Sequence, residues 1–297
     1  MFDFRLRVFH TVAKRLNFTK AAKELYISQP AVTKHIKELE AHFKNKLFER
    51  NGTRIKLTDA GTKLLGYTVE LLELYRRMEA DLNAMREANV GTLRIGASTT
   101  IANYILPVVL PSFKQEFPDI TVELVIDNTE HIEQLLVKKE IDLGITEGFT
   151  KSSVLHYDTF LKDEIVLVAS TANPLAEVSS VEIQELLQLP MLVREQGSGT
   201  LDVINHALNK VAIKPEFTTV MQLSSTESIK LYLRNSDCVA FLSIYAVLNE
   251  LKDHTFTVID VEGLHIERNF YWVQSQGAHN YLAKLFIEKA SSYNFKL

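Results

Sequence analysis

Five polar side chains crowd the start of one amphipathic segment. In LYISQPAVTKHIKELEAHF, residues 25–43, Ser28, Gln29, Thr33, Lys34 and Lys37 sit where packing on a core would not call for them. A carboxamide, hydroxyls and ammonium groups at this spacing are equipped to hydrogen-bond something outside the protein. A second set of polar residues lies far downstream. GASTTIANY carries Ser98, Thr99 and Thr100; VREQGSGT carries Arg194, Gln196, Ser198 and Thr200; QLSSTES carries Ser225 and Thr226. Each stretch reads as a strand-to-helix junction, where ligands of α/β sheets sit. Hydroxyls and free N–H groups at helix starts suit a small anion. Taken singly, each hydroxyl is a helix cap; only convergence on one cleft makes a pocket. Thr146 and Glu147, after DLGI, are expected to line that cleft, with Glu147 repelling an anion unless it faces away.

The elements that must hold these residues follow from periodicity. Leu6, Phe9, Ala13 and Leu16 repeat at helical spacing. Thr19 is placed to N-cap a short helix, KAAKEL, and Ser28 to cap the next, with Pro30 in its first turn. Val32, Ile36, Leu39 and Phe43 form the apolar stripe of that third helix. Two short helices joined by a tight turn after a supporting helix make a helix-turn-helix. In KLFERNGTRIKLT, Asn51-Gly52 marks a hairpin turn, a wing bearing Arg50, Arg54 and Lys56. A proline-free helix is predicted from about residue 58 to 88, with Leu65, Val69, Leu72, Tyr75, Met78, Leu82 and Met85 as its seam. Such a helix is too long to bury its seam within a small domain, so pairing with a second copy is expected. After NVGT the texture becomes alternating strands and helices, which predicts a mainly parallel α/β sheet in two lobes.

Charge separates the two parts. Residues 1–58 hold thirteen basic and five acidic residues, a balance of +8, whereas residues 59–297 carry −12 within a net −4. This asymmetry is the footprint of a nucleic-acid-binding head on a different kind of body. No apolar run approaches the ~20 residues that cross a bilayer, and the N-terminus lacks a secretory pattern. The single Cys238, in SDCVAFLS, leaves no disulfide framework and reads as an inert core thiol. A cytoplasmic location is expected. The nine histidines show no paired metal spacing, and REQGSGT lacks the lysine of a phosphate-binding loop and the dinucleotide glycine pattern. No metal, cofactor or catalytic residue is expected.

NFTKAAKELYISQPAVTKHIKELEAHF followed by KLFERNGTRIKLTDAG resembles the N-terminal signature of the bacterial LysR-type transcriptional regulators. LRIGAS, ILPVVLPSFKQEFPDITVEL, IDLGIT, REQGSGT, SSTESIK and VAFLS continue the resemblance in order across nearly the whole chain. The chain departs from the pattern at Lys44-Asn45, where glycine is usual, at Thr33, at Ser224 and in SDC. Asn45 tolerates a left-handed conformation better than Lys44, so the helix end is expected to shift.

The resemblance implies a winged helix-turn-helix at residues 1–58 and a dimerisation helix and hinge at 59–91. It also implies a periplasmic-binding-protein-like effector domain at 92–297. Lobe I would cover about 92–161 and 267–297, and lobe II about 162–266. It places the Ser28–Phe43 helix in the major groove of double-stranded DNA. Gln29 can then pair with an adenine edge, and Pro30 and Ala31 can meet a thymine methyl. Thr33 and Lys34 can reach bases or backbone, while Thr19 and Lys20 suit phosphate. Arg50 and Arg54 suit phosphate or the minor groove, and Lys37 and Lys44 read as solvated surface. A homodimer or homotetramer is implied. IGASTT and REQGSGT are closest to the regulators of sulfur metabolism and carbon fixation; there Ser98, Thr100 and Thr200 match positions that hold sulfate-like anions. A sulfate- or sulfite-like effector is therefore favoured, with a phosphorylated or carboxylated metabolite as the rival. A stand-alone solute-binding protein would account for residues 92–297 but not for the basic head, and an enzyme is the more remote reading.

Overall fold

The computed structural model describes residues 3–51, 54–85, 89–214, 216–277 and 280–295. The chain divides into two compact units, Met1–Arg86 and Glu87–Leu297, so the long helix belongs with the head.

In the first unit, α1 (Phe4–Arg15) is capped by the Asp3 carboxylate, which accepts the Arg5 N–H at 2.9 Å. Asn17, not Thr19, caps α2 (Phe18–Glu24): its side-chain oxygen accepts the Lys20 N–H at 2.9 Å. The carboxamide two residues upstream reaches the orphan donor, which leaves the Thr19 hydroxyl exposed within the first turn. Ser28 caps α3 (Gln29–Phe43) through the Ala31 N–H. Val32, Ile36 and Leu39 join Val8, Phe9, Val12, Ala21, Ala22 and Leu47 in one core. Phe43 is 42% exposed, a correction to the expected stripe: it lies at the last turn, past the core. The helix does not shift its end to Asn45. Lys44 itself takes the left-handed conformation at φ 51°, and the Asn45 N–H bonds the Glu40 carbonyl at 3.2 Å, a Schellman closure. Strands β1 (Phe48–Asn51) and β2 (Arg54–Leu57) pair antiparallel as the wing, Phe48 opposite Leu57. The turn residue Gly52 lies outside the described residues, as do the side chains of Arg50 and Arg54.

Helix α4 (Asp59–Ala84) starts at Thr58, whose hydroxyl accepts the Gly61 N–H and donates to the Lys46 carbonyl. Its 26 residues give about 39 Å at ~1.5 Å per residue. The expected seam divides. Leu65, Val69, Leu72 and Tyr75 are already half-buried, whereas Tyr67, Leu71, Leu74, Met78, Leu82 and Met85 are 45–84% exposed. These six recur at intervals of three and four, so the free stripe runs one face over from the predicted one, sharing Met78, Leu82 and Met85 with it.

The second unit runs β3 (Gly91–Ser98), α5 (Thr99–Tyr104), α6 (Leu106–Glu116), β4 (Ile120–Asp127), α7 (Thr129–Val137), β5 (Leu143–Glu147) and β6 (Leu155–Ser170). Next come β7 (Ser180–Val181), α8 (Ile183–Leu186), β8 (Met191–Arg194), α9 (Gly199–Lys210), β9 (Thr219–Leu223) and α10 (Thr226–Leu233). Then follow β10 (Val239–Ser243), α11 (Ile244–Lys252), β11 (Phe256–Val261), β12 (Ile266–Ser275) and α12 (Tyr281–Ser291). Strand order is β4-β3-β5-β12-β6-β10-β8-β9, with β11 beside β6. The two ends are parallel, but β5–β12, β12–β6 and β6–β10 are antiparallel, which the expected mainly parallel sheet did not include. The 16-residue β6 and the 10-residue β12 tie the halves together. Phe160 and Leu161 pack against one core, with Leu93, Ile95, Phe113 and Phe286. Ile165 and Leu167 enter a second, with Val203, Ile204 and Phe241. Cys238 is buried beside Val168, Leu192 and Leu233.

Candidate functional site

On the head, the N-terminal face of α3 is open. Ser28, Gln29, Pro30, Lys34 and Lys37 are exposed, and Ala31 and Thr33 half-exposed, over the buried Val32 and Ile36. The Gln29 amide donates to the Thr33 hydroxyl at 2.9 Å, and Lys34 lies 4.0 Å from Glu38. The polar face is thus pre-ordered by contacts one turn apart, each replaceable by an outside partner. Thr19 and Lys20 are exposed on the first turn of α2. Sequence reading passed over Tyr26, which sits between α2 and α3 at φ 54° and is 95% exposed. Nothing in its type announces this; the left-handed turn that turns the ring outward is a backbone property.

In the second unit the predicted hydroxyls separate by role. Ser98 accepts the Ile101 N–H at 3.5 Å and Ser225 the Ser228 N–H at 3.3 Å, so both are helix caps. Arg194 is buried, but its guanidinium is held by both oxygens of Glu195, at 2.9 and 3.1 Å, and donates to Thr226 at 3.4 Å. That charge is neutralised within the chain, and the guanidinium ties β8 to the start of α10 at Thr226. Thr100 and Thr146 are buried, and the Thr99 hydroxyl is buried without a hydrogen-bond partner.

Thr200 leads to a centre that sequence reading missed. Its hydroxyl accepts from Arg268 Nη1 at 2.9 Å. Arg268, on β12, pairs with Asp163 of β6 at 2.6 Å and lies 3.5 Å from Glu147 of β5. Asp163 also accepts the Ser243 hydroxyl at 2.7 Å. All three charged side chains are 2% exposed or less. One guanidinium thus serves two carboxylates from different strands. Arg268 Nη2, Glu147 Oε2 and Ser198 Oγ remain buried with no partner, and each such group carries a desolvation cost until something bonds it. Glu147 turns inward to Arg268 instead of away. The signal for Arg268 was weak: one arginine in HIERNFYWVQS, on a strand whose neighbours are buried.

Hydrogen bonds tie the start of α7 to the end of β5 and to the loop before α9. The Thr129 hydroxyl donates to the Glu147 carbonyl at 2.7 Å, and the Glu130 N–H to the Gly197 carbonyl at 3.2 Å. Gly199 is required here, since a Cβ would fall 2.0 Å from the Glu147 carbonyl oxygen. Asp202 accepts the Phe149 and Thr150 N–H groups and the Thr150 hydroxyl, clamping that loop to α9. Between them lies a cavity of about 280 Å³ lined by Gln196 and Ser198, two of the predicted residues, together with α7 and α9 side chains.

Residues 4–62 match the bacterial regulatory helix-turn-helix proteins of the lysR family, and residues 86–292 match the LysR substrate binding domain. The chain belongs to the LysR family. It is a DNA-binding LysR-type transcriptional regulator with an effector-binding domain. It is 30% identical over 270 residues to the HTH-type transcriptional regulator CysL of Bacillus subtilis, covering 91% of this chain and 90% of that one. The RuBisCO operon transcriptional regulator of Allochromatium vinosum is 29% identical over 273 residues, 92% and 89% of the two chains. A full-length OxyR structure from Pseudomonas aeruginosa shares the fold at TM-score 0.73 and 19% identity, over 98% of this chain and 95% of that one. In this LysR-family chain the effector-binding domain therefore carries both the Arg268 centre and the α7–α9 cavity, and the helix-turn-helix carries the open face of α3. No helix among the described residues is long and apolar enough to cross a membrane.

Proposed function

We propose that this regulator binds its operator through the α3 face and answers to a small oxyanion held by Arg268. The observation that carries the effector reading is the buried, unpartnered Nη2 of Arg268. Glu147 sharpens it. Its free Oε2 needs a donor, and an unprotonated anion beside it is repelled. An oxyanion that keeps an O–H satisfies both groups at once, accepting from Arg268 and donating to Glu147. Hydrogensulfite fits this better than sulfate, and a phosphate monoester is the second reading, through its monoanion, which keeps one O–H and prevails below about pH 6. Thr200, already on Arg268, and the unpartnered hydroxyl of Thr99 supply further donors.

On DNA, Gln29 leaves Thr33 to pair with an adenine edge, Lys34 leaves Glu38, and Thr19, Lys20 and the phenol of Tyr26 meet phosphate. Arg50 and Arg54 on the wing complete the grip. A second copy covers the exposed stripe of α4, and two heads then require two half-sites related by a two-fold axis. The cytoplasm is where such a protein meets its DNA.

A thermal-shift screen of the full chain with sulfite, sulfate, phosphate monoesters and carboxylates tests the effector. Sulfite or a phosphate monoester raises Tm in the wild type, and sulfate does so only in Glu147→Gln, which removes the repelling charge. Absence of stabilisation by every anion sinks the oxyanion reading.

A further inference from the structure

The cavity between α7 and α9 has a chemistry opposite to that of Arg268. Three carboxylates line it, Glu130 and Glu133 from α7 and Asp202 from α9, with no Lys, Arg or His among the described lining residues. Asp202 is spent on the 149–150 loop. Glu130 and Glu133 are not: Oε1 of each accepts one hydrogen bond, from Gln134 at 3.2 Å and from the Tyr157 hydroxyl at 2.8 Å, and Oε2 of each takes none. The nearby Lys151 is engaged elsewhere, its ammonium 3.7 Å from the centroid of the Tyr271 ring. Burial, with the charges of Asp202 and Glu130 adding, raises the Glu133 carboxyl above the usual range.

A second observation is independent of these charges. Ser198 lines the cavity, is 3% exposed, and its hydroxyl has no hydrogen-bond partner. The Thr150 and Asn205 side chains and the Leu201 side chain complete the wall. At about 280 Å³ the space lies at the low end of small-molecule pockets, which begin near ~300 Å³. The Leu201 side chain gives the cavity an apolar wall, which suits an organic cation.

We infer that this cavity binds a small primary amine or diamine, its ammonium group between Glu130 and Glu133 and its carbon chain along Leu201. Ser198 and Asn205 accept the remaining ammonium hydrogens. Because α7 and α9 belong to different halves of the effector domain, an amine seated there holds those halves together. The site is separate from the oxyanion reading, since Arg268 does not line it.

Isothermal titration of the full chain with 1,4-diaminobutane tests the inference, beside 1,4-butanediol and sodium chloride at matched ionic strength. The diamine binds saturably and raises Tm, while the diol and salt do not. Glu130→Gln, at an exposed carboxylate, weakens the diamine about two- to fivefold, and Glu133→Gln, half-buried, about tenfold. Oxyanion-induced shifts are unchanged in both variants, so failure of one site is told apart from failure of the other. An equal response to the diol or to salt, unaltered diamine affinity in the double variant, or no binding up to about 10 mM, overturns it.

Discussion

The two units solve recognition in opposite ways. On the head, the groups offered to DNA are exposed, close in sequence and carried by one helix over a buried stripe. In the effector domain, the charged groups are buried, distant in sequence and brought from β5, β6 and β12 to one place, where the Thr200 hydroxyl of α9 meets them. The head carries its +8 outward, where long-range attraction to phosphate uses it. The effector unit folds part of its negative charge inward against a single arginine, where a low dielectric makes each unpaired atom costly. An exposed surface tolerates loss of a group and loses only affinity; a buried centre loses stability as well.

The largest test of that contrast is Arg268→Gln. Removing the guanidinium leaves Asp163 and Glu147 buried without a counter-charge, so the effector unit should lose about 3–5 kcal/mol in urea denaturation. A loss under ~1 kcal/mol, the level of an exposed pair, would erase the distinction. Next is Leu74→Arg on α4. Each copy gives up about 1.5–3 kcal/mol of apolar burial at the expected pairing face, so sedimentation should show self-association weakened at least about tenfold. Leu72→Arg, on the half-buried face, should instead lower Tm.

Gln29→Ala probes the head's exposed chemistry. It should cost about 1–3 kcal/mol in discrimination between operator and random DNA, measured by competition binding, with Tm unchanged. Equal weakening on both DNAs would make Gln29 a backbone contact. The smallest effect is at Lys44, held at φ 51°. Lys44→Gly removes the left-handed strain and should stabilise the head by about 1 kcal/mol, without moving DNA affinity.

Local rules made the head legible. Ser28 as a cap, Pro30 in the first turn and the Val32–Ile36–Leu39 stripe depend on neighbours within one or two turns, and the structure has them. Local rules also failed locally: Asn17 took the cap expected of Thr19, because a carboxamide two residues earlier reaches the same donors. Lys44 stayed left-handed where Asn45 was expected to be, because the Glu40 carbonyl and Asn45 N–H close the Schellman pair only in that register. The predicted seam of α4 matches the exposed stripe only at Met78, Leu82 and Met85, because several faces of that helix carry apolar residues, and periodicity alone cannot say which face the chain itself covers.

For the effector domain, sequence located the strand-to-helix junctions but not what meets there. Ser198 and Thr200 begin α9, Ser98 and Ser225 cap their helices, and Arg194 is paired with Glu195. Arg268, Asp163 and Glu147 lie 16 to 121 residues apart, and only the antiparallel crossing of β6 and β12 beside β5 brings them together. Hydrogen-bonding capacity, charge balance and helical faces are properties of side chains and short spacings, and the sequence alone determined them. Which strands become neighbours depends on long-range pairing that no short window encodes, so the buried charge centre and the acidic cavity were decided by tertiary structure alone.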